Sequence, residues 1–223
     1  MILQLVEFLH RTADREFIDR YETRVGEIVA QLARHEDLGG LLDKLPGRIF
    51  VDGSTSPLPE YFHQPISMPT NALYARMLEC VDELYGRPEM REKAFHIRTM
   101  LREANADIRS DRPAEFLADC LQREEDGTLS RKKLVSEAAQ YYAGWLDVAS
   151  PEDHPAVFKA LFEQYGPCPE RLLDTPRVMR SDHFAAMPLR FEVLAAHDEH
   201  ERLLREVRYL YSRMIDGGAG ALW

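Results

Sequence analysis

The feature that narrows the fold most is a run of apolar residues near the C-terminus. Leu189, Val193, Ala196, His200, Leu203, Val207, Leu210 and Met214 succeed one another at alternating steps of four and three. That spacing lays them along one seam of an α-helix, the heptad signature of helix-on-helix packing. Leu204 and Tyr211 widen the seam to a core-facing stripe, and Gly217 and Gly218 end it. The pattern predicts one long helix over 188–216. Such a seam needs a second apolar face, and residues 2–35 offer one. Ile2, Val6, Leu9, Ala13, Phe17, Tyr21, Val25, Ile28 and Leu32 recur at three- and four-residue steps. Thr12 is a candidate cap, which would place a break near 12–14. The two long helices either pack antiparallel within one chain or leave the seam at 189–214 free for a homodimer.

Between them the chain reads as helices separated by breakers. A short helical turn is expected at 37–45, closed by Pro46 and Gly47. Residues 47–70 are a long proline-rich loop, because Pro57, Pro59, Pro65 and Pro69 forbid a helix; only 48–52 suits a short extended piece. Thr70 or Asn71 caps a helix ending at Gly86, and Pro88 opens another to about residue 107. A third runs from Pro113 to about 123. The loop Glu124-Glu125-Asp126-Gly127-Thr128 follows, then a helix over 130–149. Ser150-Pro151-Glu152-Asp153 has the marks of a helix start: serine as cap, proline at the first position, acids at the positive end. That helix stops at Gly166, and a short one is expected at 169–174. The sum predicts an all-α protein: one helical bundle of about eight helices over 1–216, with long terminal helices, and a flexible tail at 217–223.

Composition limits function by exclusion. The 223 residues carry a formal charge of −10, from 38 acidic and 28 basic side chains. A surface of that sign does not favour nucleic acid, whose affinity for proteins comes from Lys and Arg displacing counterions. No apolar run approaches the ~18 residues that a membrane span takes. The apolar N-terminus lacks the basic region and cleavage site of a signal peptide. Three cysteines (Cys80, Cys120, Cys168) without close spacing suit reduced thiols and a cytoplasmic setting.

Candidate chemistry is sparse. Glu7 and His10 form an E-x-x-H unit on the first helix, and His197 and His200 lie three apart on the last. If those helices pack side by side, the four side chains meet as ligands for a divalent metal, the basis of an alternative reading as a metal-dependent helical enzyme. The arginine–histidine spacings (Arg91/His96, Arg177/His183, Arg190/His197) occur as often as chance supplies them and carry no weight. In the proline-rich loop, Tyr61 and Phe62 are candidate aromatic anchors for a partner.

One stretch has a family likeness. In residues 138–165 a helix with Tyr141 and Tyr142 leads to Pro151, Asp153 and His154 and then to another helix. This resembles a segment of TorD/NarJ-type chaperones, which are acidic, all-helical, cytoplasmic binders of redox-enzyme signal peptides. The acidic-apolar run that follows in that family is replaced here by Val157-Phe158-Lys159-Ala160. The resemblance implies a peptide-binding role with Asp153 and His154 at the site. With no strong catalytic motif, the leading expectation is a non-enzymatic adaptor, regulator or chaperone. It would need no cofactor, and its protein or peptide partner would be basic, steered by the acidic surface.

Overall fold

The structure, a computed structural model, describes residues 1–46, 51, 66–106, 115–132, 134–167, 178–181 and 183–218. Its helices are α1 (Ile2–Thr12), α2 (Arg15–Asp19), α3 (Glu22–Ala33), α4 (Met68–Tyr85), α5 (Pro88–Ala106), α6 (Glu137–Trp145), α7 (Pro155–Lys159), α8 (His183–Ala196) and α9 (His200–Asp216). A π-helical turn, Ala160–Gln164, continues α7. The helical prediction holds in outline, and no helix among the described residues is long and apolar enough to cross a membrane.

The prediction of an all-α fold is corrected by a small antiparallel sheet, in the order β1 (Ile66–Ser67), β2 (Cys120–Arg123), β3 (Leu129–Arg131). Leu121 sits opposite both Ile66 and Arg131. The segment Glu124–Thr128 is therefore the turn of a hairpin, with Gly127 at φ 82° supplying the left-handed residue. No described residue of the helix expected over 113–123 is helical, since Cys120–Arg123 is β2, and the helix expected over 130–149 shortens to α6, with Leu129–Arg131 in β3.

Helix α4 is the hub. It packs against α1, α3, α5 and α6, and twelve of its eighteen residues are buried. Ser67 is its cap, accepting the Thr70 amide at 3.3 Å, with Pro69 in the first turn where no amide is required. The cap thus lies earlier than Thr70 or Asn71. Asn71 is instead fully buried and clamps the chain before it: its side chain accepts the Leu42 amide at 2.7 Å and donates to the Leu42 carbonyl at 3.1 Å. Gly86 at φ 65° ends α4, and Pro88 starts α5 as expected.

Neither terminal helix is continuous. The first breaks at Ala13, which turns left-handed at φ 55°, and Asp14 caps α2 by accepting the Phe17 amide at 2.9 Å. The short helix expected over 37–45 is a turn closed by a Glu36–Leu42 bridge. The C-terminal seam breaks at Asp198, φ 59°, which separates α8 from α9. Ala196 and His200, two members of the seam, are exposed. The start expected at Ser150 also moves: α7 begins at Pro155 with His154 as its cap.

What holds α9 is polar. Its one buried residue is Glu206, at 0% exposure. The Arg190 guanidinium, also at 0%, grips both carboxylate oxygens at 2.6 and 2.7 Å and donates to the Leu161 carbonyl at 2.8 Å. Arg202 adds a bond to Glu206 at 2.9 Å and another to the Tyr165 carbonyl at 2.8 Å. Gly166 passes this cluster at φ 111°, where a β-carbon would stand 2.7 Å from Glu206 Oε1. A buried ion pair tolerates neither loss of one partner nor displacement. Glu206→Ala is expected to cost about 3–5 kcal/mol, and Gly166→Ala about 2 kcal/mol or more from backbone strain alone. Urea unfolding followed by circular dichroism reads both, and midpoints within error of the parent would refute the assignment.

Candidate functional site

The hub and its clamp shape a cleft. Thr70 and Leu73 lie on the one stripe of α4 that the core leaves uncovered. Ile28, Gln31 and Leu32 of α3 face them, followed by His35, Leu45 and Pro46 of the turn. Tyr142 of α6 and Val51 close one end, and this part holds 430 Å³. The Tyr142 hydroxyl donates to the Val51 carbonyl at 3.4 Å, and the Trp145 ring lies 6.4 Å from its own. A second part of 330 Å³ shares Ile28, Leu32, Leu45, Thr70 and Leu73 with the first, and adds Met1, Ile2, Leu3, Leu42, Tyr74 and Met77. Mostly apolar walls with a few polar groups are the usual make-up of a small-molecule site.

The walls are fixed by bonds that face away from the opening. The Asn71 clamp pins Leu42 to α4. The Tyr74 hydroxyl donates to Glu36, whose two carboxylate oxygens also receive the Lys93 ammonium at 2.5 Å. Burial, and then this bond to a carboxylate, push the Tyr74 phenol well above its ordinary range. It stays protonated and keeps its donor on Glu36. Among the described residues no carboxylate lines either part of the cleft.

The residues singled out by sequence lie elsewhere. Tyr61 and Phe62 fall outside the described residues. His10 bonds Glu83 of α4 at 2.5 Å, while Glu7 pairs with Arg11 at 3.5 Å on an exposed face. His197 packs edge-on to the Phe158 ring at 4.9 Å. His200 is exposed beside Asp198, at 3.4 Å. Glu7, His10, His197 and His200 are thus not brought together, and no group of three or more His, Cys, Asp or Glu side chains among the described residues is arranged to hold a metal. Asp153 is a turn residue bonded to Ser150 at 3.1 Å. His154 is half-buried, and its Nδ1 is enclosed with no hydrogen-bond partner among the described residues.

Against known proteins, no family model matches the sequence, and no curated protein does. Solved structures do. A GH78-family rhamnosidase of Bacillus sp. GL1 superposes on the whole chain with a TM-score of 0.77 at 19% identity. A rhamnosidase from Klebsiella oxytoca, with rhamnose bound, superposes on 99% of it with a TM-score of 0.70 at 14% identity. The chain spans 22% of the first neighbour and 38% of the second. At these identities what is shared is the fold. The finding still overturns the expectation of a non-enzymatic adaptor, regulator or chaperone: these two neighbours in fold are both rhamnosidases. The TorD/NarJ likeness gains no support from these neighbours, which are rhamnosidases, although its Pro-x-Asp-His element does lead from α6 into α7, with His154 as the cap.

His154 has one measurable consequence. Burial, with the Arg102 guanidinium nearby, lowers its imidazole below the ordinary 6.5 against the opposing pull of Asp153. The unfolded chain therefore takes up this proton at a higher pH than the fold does. The associated stability is full above about 6.5 and is lost as pH falls from there through the lowered folded value. Urea midpoints measured from pH 7.5 to 5 should decline more in the parent than in His154→Asn. Parallel declines would sink the assignment.

Proposed function

We propose that this chain is a glycoside-hydrolase-type helical module whose cleft recognises the deoxysugar end of a glycoside. The observation that carries the reading is fold likeness over the full length of the chain to two rhamnosidases, one of them with rhamnose bound. The cleft supports it chemically. Rhamnose is a hexose with a methyl group where others have a hydroxymethyl. It presents hydroxyls that need partners and a methyl that needs an apolar wall. Gln31, His35 and Thr70 supply donors and acceptors, the Tyr142 hydroxyl oxygen supplies a further acceptor, and Ile28, Leu32 and Leu73 supply the wall. Hydrolysis of a glycosidic bond takes two carboxyl groups flanking it. The role assigned to this cleft is recognition, since no carboxylate lines it among the described residues.

The test is titration calorimetry with L-rhamnose, L-fucose and D-glucose, run beside release of nitrophenol from 4-nitrophenyl α-L-rhamnoside. Saturable binding of rhamnose in preference to glucose is the expected result, with Tyr142→Ala weakening it roughly tenfold through the lost hydrogen bond and contact. If none of the three sugars binds at millimolar concentration and no nitrophenol is released, the reading is refuted.

A further inference from the structure

The two parts of the cleft differ in chemistry while sharing five wall residues. The first carries Gln31, His35 and the Tyr142 hydroxyl. The second is lined mainly by aliphatic and thioether side chains, and among the described residues its hydroxyls are those of Thr70, on the shared boundary, and Tyr74. The Tyr74 hydroxyl is already spent on Glu36. A sugar pushed into the second part would leave hydroxyls without partners, a costly arrangement. A hydrocarbon or aromatic group would meet mostly apolar walls there.

We propose that the second part is the seat of an apolar aglycone, so that the ligand of the cleft is an amphipathic glycoside with its sugar in the first part and an alkyl or aryl group in the second. This rests on the sugar reading above and narrows it. Three features support it. The parts adjoin, with Ile28, Leu32, Leu45, Thr70 and Leu73 in the walls of both, so a ligand seated in the first lies beside the second. The second part, at 330 Å³, is of the size that holds a small organic group, for which about 300 Å³ is the usual lower bound. Its walls are set by the Asn71 clamp and the Glu36–Lys93 pair, so the space exists before the ligand arrives.

Titration calorimetry of the full chain with methyl, butyl and hexyl α-L-rhamnoside tests the proposal. Affinity is expected to climb with chain length and to end roughly tenfold or more above that of the methyl glycoside, from burial of the added methylenes. Leu3→Glu places a charge on the half-exposed wall of the second part. It should erase that gain and leave methyl rhamnoside affinity unchanged; the ligand series on the parent protein stands alone if this variant does not fold. Equal affinity for methyl and hexyl rhamnoside would overturn the aglycone seat and leave the sugar reading intact. Equal affinity for hexyl rhamnoside and hexyl glucoside, with none for the methyl glycoside, would overturn the sugar reading and this proposal with it.

Discussion

Helix α4 is enclosed on all but one narrow stripe, and a helix in that position must satisfy its polar groups from within. This requirement organises the molecule. Asn71 is buried at the helix start, where its amide has no water to bond, and it takes both the amide and the carbonyl of Leu42. A buried side-chain amide paired in both directions to one backbone unit leaves that unit little freedom. The segment from residue 41 to 46 is therefore held at a fixed distance from α4. Tyr74, one turn on, does the same for Glu36 and through it for Lys93 of α5. The stripe left open begins with Thr70 and Leu73, and those residues become the floor of the cleft. The cavity is what remains when the polar groups of a central helix are satisfied by a chain that cannot collapse onto it.

The other end of the molecule is assembled on a different principle. α9 has a strongly amphipathic sequence, yet its one buried residue is a carboxylate. Glu206 is held by two arginines, and one of them, Arg190, stands 5.5 Å above the ring of Tyr141. Desolvating an ion pair costs nearly what its attraction returns, so this junction adds little net stability relative to an apolar contact. What it adds is orientation, since a forked guanidinium on a carboxylate admits one geometry. The consequence is visible on the surface: Leu204, Tyr211 and Ile215 remain exposed because α9 is set by its charges and not by its apolar arc.

That contrast explains how much of the fold the sequence makes legible. Gly86 and Pro88 bound α4 and α5 because their effects are local: one residue turns left-handed and the next cannot donate. The apolar seam at 189–214 misleads for the opposite reason. A spacing of three and four is compatible with a continuous helix, but it does not force one. Asp198 takes a left-handed conformation that aspartate tolerates better than most residues. The bond from Glu206 to Arg190 then fixes α9 in its own orientation. Sequence alone displays Arg190 and Glu206 as two more charges in a charge-rich helix. The hairpin is missed similarly. Its turn at Glu124–Thr128 is legible, but strands of four and three residues are too short to show a period.

The cleft is illegible for a further reason. Its walls come from residues 1–3, 28–35, 42–46, 51, 69–77 and 142, which no local pattern connects. Each of its apolar residues reads equally well as core. What separates a lined cavity from a core is whether the space between the side chains is filled, and that is decided by the clamp at Asn71. The Glu7 and His10 pair illustrates the same ground in reverse: the two share a helical face by spacing, but His10 bonds the carboxylate of Glu83, seventy-three residues away in sequence. Short-range spacing proposes partners, and long-range packing chooses among them. For this chain, the candidate site is visible only as the space that packing leaves open, because the residues around that space carry no motif.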